Sequence, residues 1–195
     1  TAKAITPATG GTFNLTTGID SGASFTGTAG NDTFNAVLDG AANTFTSLDA
    51  LDGGAGTDVL NLVTLGDLTT AAGATVTGIE TVNLVSAAAI TKADVSGFTG
   101  LTTLNVTGSA AIAGVVAAAT TDVNIANSVD AANVSGGKDV TIVHNTTGNV
   151  TATATAGALS ITSATGEITV GGGAASTNAL GTVTVDMTTT DAANT

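Results

Sequence analysis

The chain has 195 residues, enough for one sizeable core, and a formal net charge of −12 from 15 acidic residues, three lysines and no arginine. This charge argues against nucleic-acid binding and against an anionic membrane surface, because almost nothing here would neutralise phosphates. The absence of cysteine excludes a disulfide framework and a thiolate metal site. Charged residues make up only 9% of the chain, and Trp and Tyr are absent, so layers of small β-branched side chains must form the core.

No transmembrane segment is expected, because the longest charge-free run, 95–121, is interrupted throughout by Ser, Thr, Asn and Gly. The chain starts at Thr1 without a methionine. We therefore expect it to be a segment of a longer protein.

Two glycine-rich turns follow one another in the first third of the chain. Residues 27–34 read G-T-A-G-N-D-T-F, and residues 53–60 read G-G-A-G-T-D-V-L. The second turn spells the calcium-binding nonapeptide pattern G-G-x-G-x-D-x-U-x, and the first departs from it by having Thr28 in place of the second glycine. Because the pattern occurs twice, it predicts calcium binding more strongly than a single copy would.

This spacing has a chemical reason. Glycines let the backbone turn with positive φ and direct carbonyl oxygens inward, and the aspartate adds a charged oxygen. Calcium takes six to eight oxygens, so two stacked turns are expected to complete a site that one turn only begins. The predicted ligands are the carboxylates of Asp32 and Asp58, with the carbonyls of Gly27, Ala29, Gly53 and Ala55. The alternative is that each aspartate only bonds its own turn.

Further acids flank these turns. Asp20 and Asp52 are candidate additional ligands, and Asp49 is considered with them, although each also fits a solvated loop carboxylate. Glu80 lies just before a strand and is not preferred either as an ion ligand or as a backbone cap. Short helical turns are expected within 86–93 and 110–120, and a small helix or a loop excursion within 43–51.

From residue 81 onward, short polar–apolar alternations predict half-buried strands. They are 81–84, 103–106, 122–125, 139–142, 149–152, 159–162, 167–170 and 182–185. The first four start at intervals near 20 residues, which is typical of a solenoid. We expect a parallel β-solenoid of roughly nine or ten rungs, about 45 Å long. An immunoglobulin-like sandwich is the competing fold, but the hairpin turns that it needs are missing between these strands.

The remaining polar features are interpreted as structural. His144 has no Cys or His partner and makes a poor zinc site, and Lys138 with Asp139 forms a turn pair of little energetic worth. The T-A-T-A-T run at 151–155 suggests an ice-binding array, but no neighbouring rung repeats it in register. No catalytic motif is present, neither G-x-S-x-G nor a phosphate-binding loop with its lysine, so we expect no enzymatic activity.

The segments 27–34, 51–61 and 76–84 (V-T-G-I-E-T-V-N-L), in this order and in a Thr/Ala/Gly-rich background, resemble the RTX-type surface-layer proteins and the related large secreted adhesins. The resemblance is close over about residues 14–106. It implies a calcium-stabilised β-roll or β-helix, type I secretion, and a structural role at the cell surface. Family members with long nonapeptide arrays bind a ladder of ions, whereas two copies favour one or a few.

We therefore expect one continuous domain, with a calcium-binding part at residues 1–106 and a Thr/Ala/Gly-rich continuation at 107–195. The expected function is a calcium-stabilised structural segment of a secreted surface-layer protein that packs against copies of its parent and contacts cell-surface polysaccharide. A calcium-binding module of a secreted adhesin, or of a secreted hydrolase or lyase, is the alternative.

Overall fold

The computed structural model describes residues 8–68, 73–108, 110–144, 148–153, 155–163, 167–171 and 183–187. The chain is all-β, and its parallel strands stack as a β-solenoid of about seven turns. The predicted fold class is therefore confirmed. Every strand pairing between described residues is parallel, which excludes the sandwich built from hairpins.

Three parallel sheets form the sides of the solenoid. The first sheet has nine strands in the order β1-β2-β4-β6-β8-β10-β12-β14-β16, the second has five (β15-β13-β11-β9-β7), and the third pairs β3 with β5. The strands of the first sheet are β1 Thr12–Asn14, β2 Thr33–Leu38, β4 Val59–Thr64, β6 Thr81–Ser86, β8 Thr103–Gly108, β10 Asp122–Ser128, β12 Val140–His144, β14 Leu159–Ser163 and β16 Val183–Met187. The others are β3 Ala50–Asp52, β5 Thr75–Thr77, β7 Ala93–Asp94, β9 Ile112–Ala117, β11 Ala132–Gly136, β13 Val150–Thr153 and β15 Ile168–Gly171.

Turn length explains the drifting sequence period. Residues that pair between successive strands of the first sheet are 26, 22, 22, 19 and 17 positions apart from β2 to β12. All eight predicted strands from residue 81 onward are present within one or two residues of their predicted starts. The shorter intervals after residue 139 arise because β13 and β15 belong to the second sheet, so each turn contributes two strands there.

The core consists of columns of apolar side chains that repeat from turn to turn. One column of the first sheet stacks seven buried residues: Phe34, Leu60, Val82, Leu104, Val123, Val140 and Leu159. At the N-terminal end, the ring of Phe13 stacks on that of Phe34 with centroids 4.7 Å apart. Each buried Leu, Ile or Val contributes roughly 1.5–3 kcal/mol, so regular stacking replaces the large aromatic residues that this composition lacks.

The outward face of the first sheet carries an asparagine ladder. In each step, the side-chain Nδ2 donates to the Oδ1 of the preceding turn over 2.9–3.1 Å. The ladder contains Asn14, Asn35, Asn61, Asn83, Asn105 and Asn124. These bonds hold the amide side chains of six consecutive strands in one orientation.

Three sequence-based expectations are wrong. Residues 110–120 contain strand β9, not a helical turn, because Ile112 and Val115 join two buried columns of the second sheet. Residues 86–93 form no helix; they run from the end of β6 to the start of β7. At 43–51 the structure has the loop of the two alternatives, and this loop leads into β3. The described residues contain one helix, the 3-10 turn Gly22–Phe25. The solenoid has about seven turns, fewer than the nine or ten rungs expected. The predicted strands at 149–152 and 167–170 are β13 and β15 of the second sheet, so they share turns with β12 and β14 and add no rungs of their own.

Among the described residues, none of the helical structure has the length or the apolar character to cross a membrane.

Candidate metal centre

The two glycine-rich turns lie directly on top of one another. Thr26 pairs with Asp52, and Asp52 pairs with Thr77, which aligns Gly27, Gly53 and Gly78 in one column. The backbone N–H of Gly27 donates to the carbonyl of Asp52 over 2.7 Å, and the N–H of Gly53 donates to that of Thr77 over 2.9 Å. The first and second motifs therefore occupy consecutive turns.

Close stacking explains why this column requires glycine. A Cβ on Gly53 would overlap the carbonyl oxygen of Gly78 and would lie 2.7 Å from Oδ2 of Asp58. A Cβ on Gly27 would overlap the carbonyl oxygen of Gly53 in the same way, 2.6 Å from Oδ2 of Asp32. Each motif glycine thus lets the carbonyl oxygen of the next turn and the carboxylate oxygen of its own motif approach the backbone closely.

Three acidic residues form a second column, one residue before the strands β2, β4 and β6. The N–H of Asp32 donates to Oδ1 of Asp58 over 2.7 Å, and the N–H of Asp58 donates to Oε2 of Glu80 over 2.8 Å. At the N-terminal end, the N–H of Gly11 donates to Asp32. Each carboxylate therefore accepts a hydrogen bond from a backbone N–H of the preceding turn, and this stacking brings three negative charges close together.

The carboxylate of Asp32 is fully bonded within its own turn. Thr28 donates its N–H to Oδ2 over 2.6 Å and its hydroxyl to Oδ1 over 3.0 Å. Burial by itself would raise the pKa of Asp32, but the bonds from Gly11 and Thr28 outweigh it and lower the pKa. Asp32 is thus stable as an anion without a further partner.

Asp58 is the exception among the buried aspartates. Its side chain is 0% exposed, and its Oδ2 has no hydrogen-bond partner among the described residues. Burial raises the pKa of Asp58; the bond from Asp32 acts against this, while the negative charges of Asp32, Glu80 and Asp52 raise it further. An anion in this position is destabilised unless a cation or a proton binds it.

The two motif copies differ because of one position. Gly54 stands where the first copy has Thr28, and its φ of 86° is in the left-handed region that favours glycine. In this conformation its N–H donates to Oδ1 of Asp52 over 3.1 Å. The perfect copy therefore leaves its buried carboxylate under-bonded, whereas the imperfect copy satisfies its own.

Two other candidate acids are bonded in the same manner as Asp32. Asp20 accepts the N–H and the hydroxyl of Thr16, both over 2.7 Å. Asp49 accepts the N–H and the hydroxyl of Thr46 over 2.7 and 2.8 Å, together with the N–H of Asp20 over 3.0 Å. Both aspartates are buried and every one of their carboxylate oxygens is paired. The structure therefore places Asp20 beside Asp49 in a structural pair.

The other predicted ligands lie at the rim. Asp52 is exposed, and Ala29 and Ala55 lie at the exposed tips of the two turns, where the Ala55 N–H donates to the Thr28 carbonyl over 3.2 Å. Glu80 was not preferred in the sequence analysis, yet it completes the acidic column. The signal that could have located it is its place one residue before a predicted strand, the same place that Asp58 occupies.

The described ranges hold no group of three or more Asp, Glu, His or Cys side chains arranged around a common metal position. A calcium ion bound here would thus take most of its ligands from backbone carbonyls. One observation fits such an ion: the buried, unpaired Oδ2 of Asp58 lies with the carbonyl oxygen of Gly78 beside Gly53, so two oxygens without a Cβ between them are already close together. The chain would hold the ion through Asp58, with Glu80 and Asp52 adding negative potential.

The other sequence candidates are remote from this column. Lys138 forms exposed ion pairs with Asp122 at 3.4 Å and Asp139 at 3.5 Å, which adds a partner to the predicted turn pair. His144 ends β12. Thr151 and Thr153 lie in β13 beside Asn133 and Ser135 of β11, so the threonine pattern does not continue onto that strand. Of the 151–155 run, residue 154 lies outside the described residues.

No protein-family model matches this chain, and no curated protein matches its sequence.

Proposed function

We propose that this chain is a calcium-stabilised structural segment of a secreted, surface-layer type bacterial protein. The observation that carries the proposal is the buried Oδ2 of Asp58, which has no partner in the described part of the chain although three neighbouring acids surround it with negative charge. A divalent cation at this oxygen would remove both the unpaired charge and the repulsion. The resemblance to RTX-type surface-layer proteins supports the same interpretation.

The solenoid architecture suits a structural role. Its turns contact mainly their neighbours, so stability rises with each correctly stacked turn. A cation at Asp58 would join this turn to its two neighbours, whose residues Asp32 and Glu80 lie 26 and 22 positions away in sequence. Binding to the folded state alone stabilises it by about 2.7 kcal/mol when the ion is present at 100 times its Kd. Folding would then be favoured where calcium is plentiful, outside the cell, and disfavoured during export from the calcium-poor cytosol.

Calcium titration of the purified chain tests this proposal. Thermal unfolding followed by circular dichroism in EDTA, in millimolar Mg²⁺ and in millimolar Ca²⁺ should give a higher Tm in Ca²⁺ only. Isothermal titration calorimetry should give about one site, absent in Asp58→Asn and retained in Asp39→Asn, whose carboxylate caps an exposed turn away from the glycine column. Equal Tm values in all three buffers, or calcium binding unaffected by Asp58→Asn, would refute the proposed site.

A further inference from the structure

The two glycine turns have the same arrangement of oxygens around their first glycine. A Cβ on Gly27 would overlap the carbonyl oxygen of Gly53 and would lie 2.6 Å from Oδ2 of Asp32. A Cβ on Gly53 would overlap the carbonyl oxygen of Gly78 and would lie 2.7 Å from Oδ2 of Asp58. In both turns, a carbonyl oxygen and a carboxylate oxygen therefore lie close to the backbone of the first glycine.

One backbone N–H distinguishes the two turns. In the first turn, the N–H of Thr28 donates to Oδ2 of Asp32 over 2.6 Å. In the second turn, the N–H of Gly54 donates to Oδ1 of Asp52 over 3.1 Å, and Oδ2 of Asp58 has no partner among the described residues. We call a turn closed where this N–H donates to the aspartate of its own motif, and open where it does not.

The backbone conformation of the residue after the first glycine sets the direction of this N–H. Gly54 has a φ of 86°, in the left-handed region. Among the described residues, Asp130 is the only non-glycine residue with a positive φ, so Thr28 has a negative φ. The left-handed region is unfavourable for a β-branched residue such as threonine. Threonine therefore directs the N–H toward its own aspartate, whereas glycine allows it to turn away.

The hydroxyl of Thr28 is a less specific donor than its N–H. It lies 3.0 Å from Oδ1 and 3.2 Å from Oδ2 of Asp32, and 3.0 Å from the carbonyl oxygen of Thr9. A hydroxyl has one proton, so it can donate fully to only one of these three acceptors. The backbone N–H is thus the donor that occupies Oδ2.

We infer that Thr28 closes the first turn to a cation because it fixes the direction of this N–H. The inference rests on the function proposed above, since the calcium site at Asp58 is the example of an open turn. A hard cation binds through carboxylate oxygens, and an N–H that donates to such an oxygen takes the position that the cation needs. Asp32 is therefore a latent ligand, and a substitution that lets residue 28 adopt a positive φ opens the first turn.

Calcium titration of the wild type, of Thr28→Gly and of the matched control Thr28→Ala tests this inference. Both substitutions remove the hydroxyl from an exposed position, but glycine enters the left-handed region freely and alanine does not. Isothermal titration calorimetry should give about one site in the wild type and in Thr28→Ala, and about two in Thr28→Gly. The second ion should bind more weakly than the first, because two cations in adjacent turns repel one another.

Thermal unfolding gives a second measurement. An additional ion that binds only the folded state adds to the stabilisation, so calcium should raise the Tm of Thr28→Gly by more than it raises that of Thr28→Ala. Thr28→Asn is a second opening variant, since asparagine tolerates the left-handed region better than most residues with a side chain. It should also gain a site, which keeps the test decisive if Thr28→Gly does not fold.

Asp32→Asn in the Thr28→Gly background locates the additional site. The double variant should return to about one site, because it loses the carboxylate of Asp32 but keeps the backbone N–H that donates to Asp58. Two sites in the double variant would show that the additional ion binds elsewhere, which would overturn the inference.

The numbers of sites separate this inference from the proposed function. Equal numbers in the wild type, Thr28→Gly and Thr28→Asn would overturn the inference, whereas a second site in Thr28→Ala as well would assign the closure to the hydroxyl and overturn the role of the backbone. A wild type without a site beside a Thr28→Gly variant with one would refute the calcium site at Asp58 alone. The absence of calcium binding from every variant would refute both.

Discussion

The backbone N–H of Asp32 donates a 2.7 Å hydrogen bond to Oδ1 of Asp58, 26 residues further along the chain. This bond joins the two copies of the glycine motif at their aspartates. It satisfies one oxygen of Asp58 and leaves the other, which is buried, without a partner among the described residues. The two motif copies therefore have different roles: the first supplies a bond donor, and the second holds the unsatisfied anion.

We expect Asp58→Asn to have opposite effects with and without calcium. In EDTA the substitution should raise the Tm, because it removes a buried, under-bonded charge that Asp32, Glu80 and Asp52 repel. In millimolar Ca²⁺ its Tm should not rise further, whereas that of the wild type should. Thermal melts of both proteins in both buffers measure this crossing, and a variant that is less stable than the wild type in EDTA would contradict it.

We expect Thr28→Val to destabilise the protein by about 1–2 kcal/mol, because the buried carboxylate of Asp32 loses the hydroxyl donor while the backbone donor remains. Thr28→Ser retains the hydroxyl and serves as the control. Urea unfolding of the two variants in EDTA gives the comparison. Equal stabilities of the Thr28→Val and Thr28→Ser variants would show that the hydroxyl bond contributes nothing.

We expect Gly53→Ala to lower the stability by more than about 2 kcal/mol even in EDTA, because its Cβ would overlap the Gly78 carbonyl in the next turn. Gly66→Ala is the control, since a Cβ there meets no described atom within 4 Å. Its effect should stay within about 0.5 kcal/mol. Chemical denaturation of both variants measures the difference, and similar values would mean that the turns are not closely stacked.

We expect a pH-dependent contribution from Asp67, which accepts the N–H and the hydroxyl of Thr91, both over 2.5 Å, and the N–H of Lys92 over 2.9 Å. Burial raises the pKa of Asp67, but these bonds and the charge of Lys92 outweigh it and lower the pKa. A lowered pKa in the fold means that the carboxylate stabilises the protein above its unfolded pKa of about 3.9 and that this stability is lost as the pH falls through the folded pKa.

Asp67→Asn should therefore be less stable than the wild type at neutral pH, and the difference should shrink as the pH falls below about 4. Denaturant unfolding at both pH values measures it. A double-mutant cycle with Thr91→Val is the control: this substitution removes only the hydroxyl donor, so the two effects overlap in that bond and should fall short of additivity. A stability difference that is independent of pH would contradict this assignment.

Much of the fold could be predicted because a solenoid is governed by local repetition. The alternation at 81–84 and 103–106 predicted both the strands and the approximate turn length, since these two strands pair directly with one another 22 residues apart. Residues 110–120 were misjudged because an alanine-rich segment carries little strand signal of its own. Its strand forms because Ile112 and Val115 are buried against Ala132 and Val134 of the next turn.

The sequence by itself determined the all-β class, the approximate turn length and the position of two glycine turns, because periodicity and backbone freedom are properties of neighbouring residues. Only the tertiary structure distinguished four buried aspartates with similar sequence surroundings. Asp20, Asp32 and Asp49 are each satisfied by a threonine of their own turn, whereas Asp58 is not. It also showed which strand faces carry no charge among the described residues. The bonding of each aspartate and the composition of each strand face depend on which atoms meet between turns about 20 residues apart in sequence. Only the stacking of the turns in space decides which atoms meet.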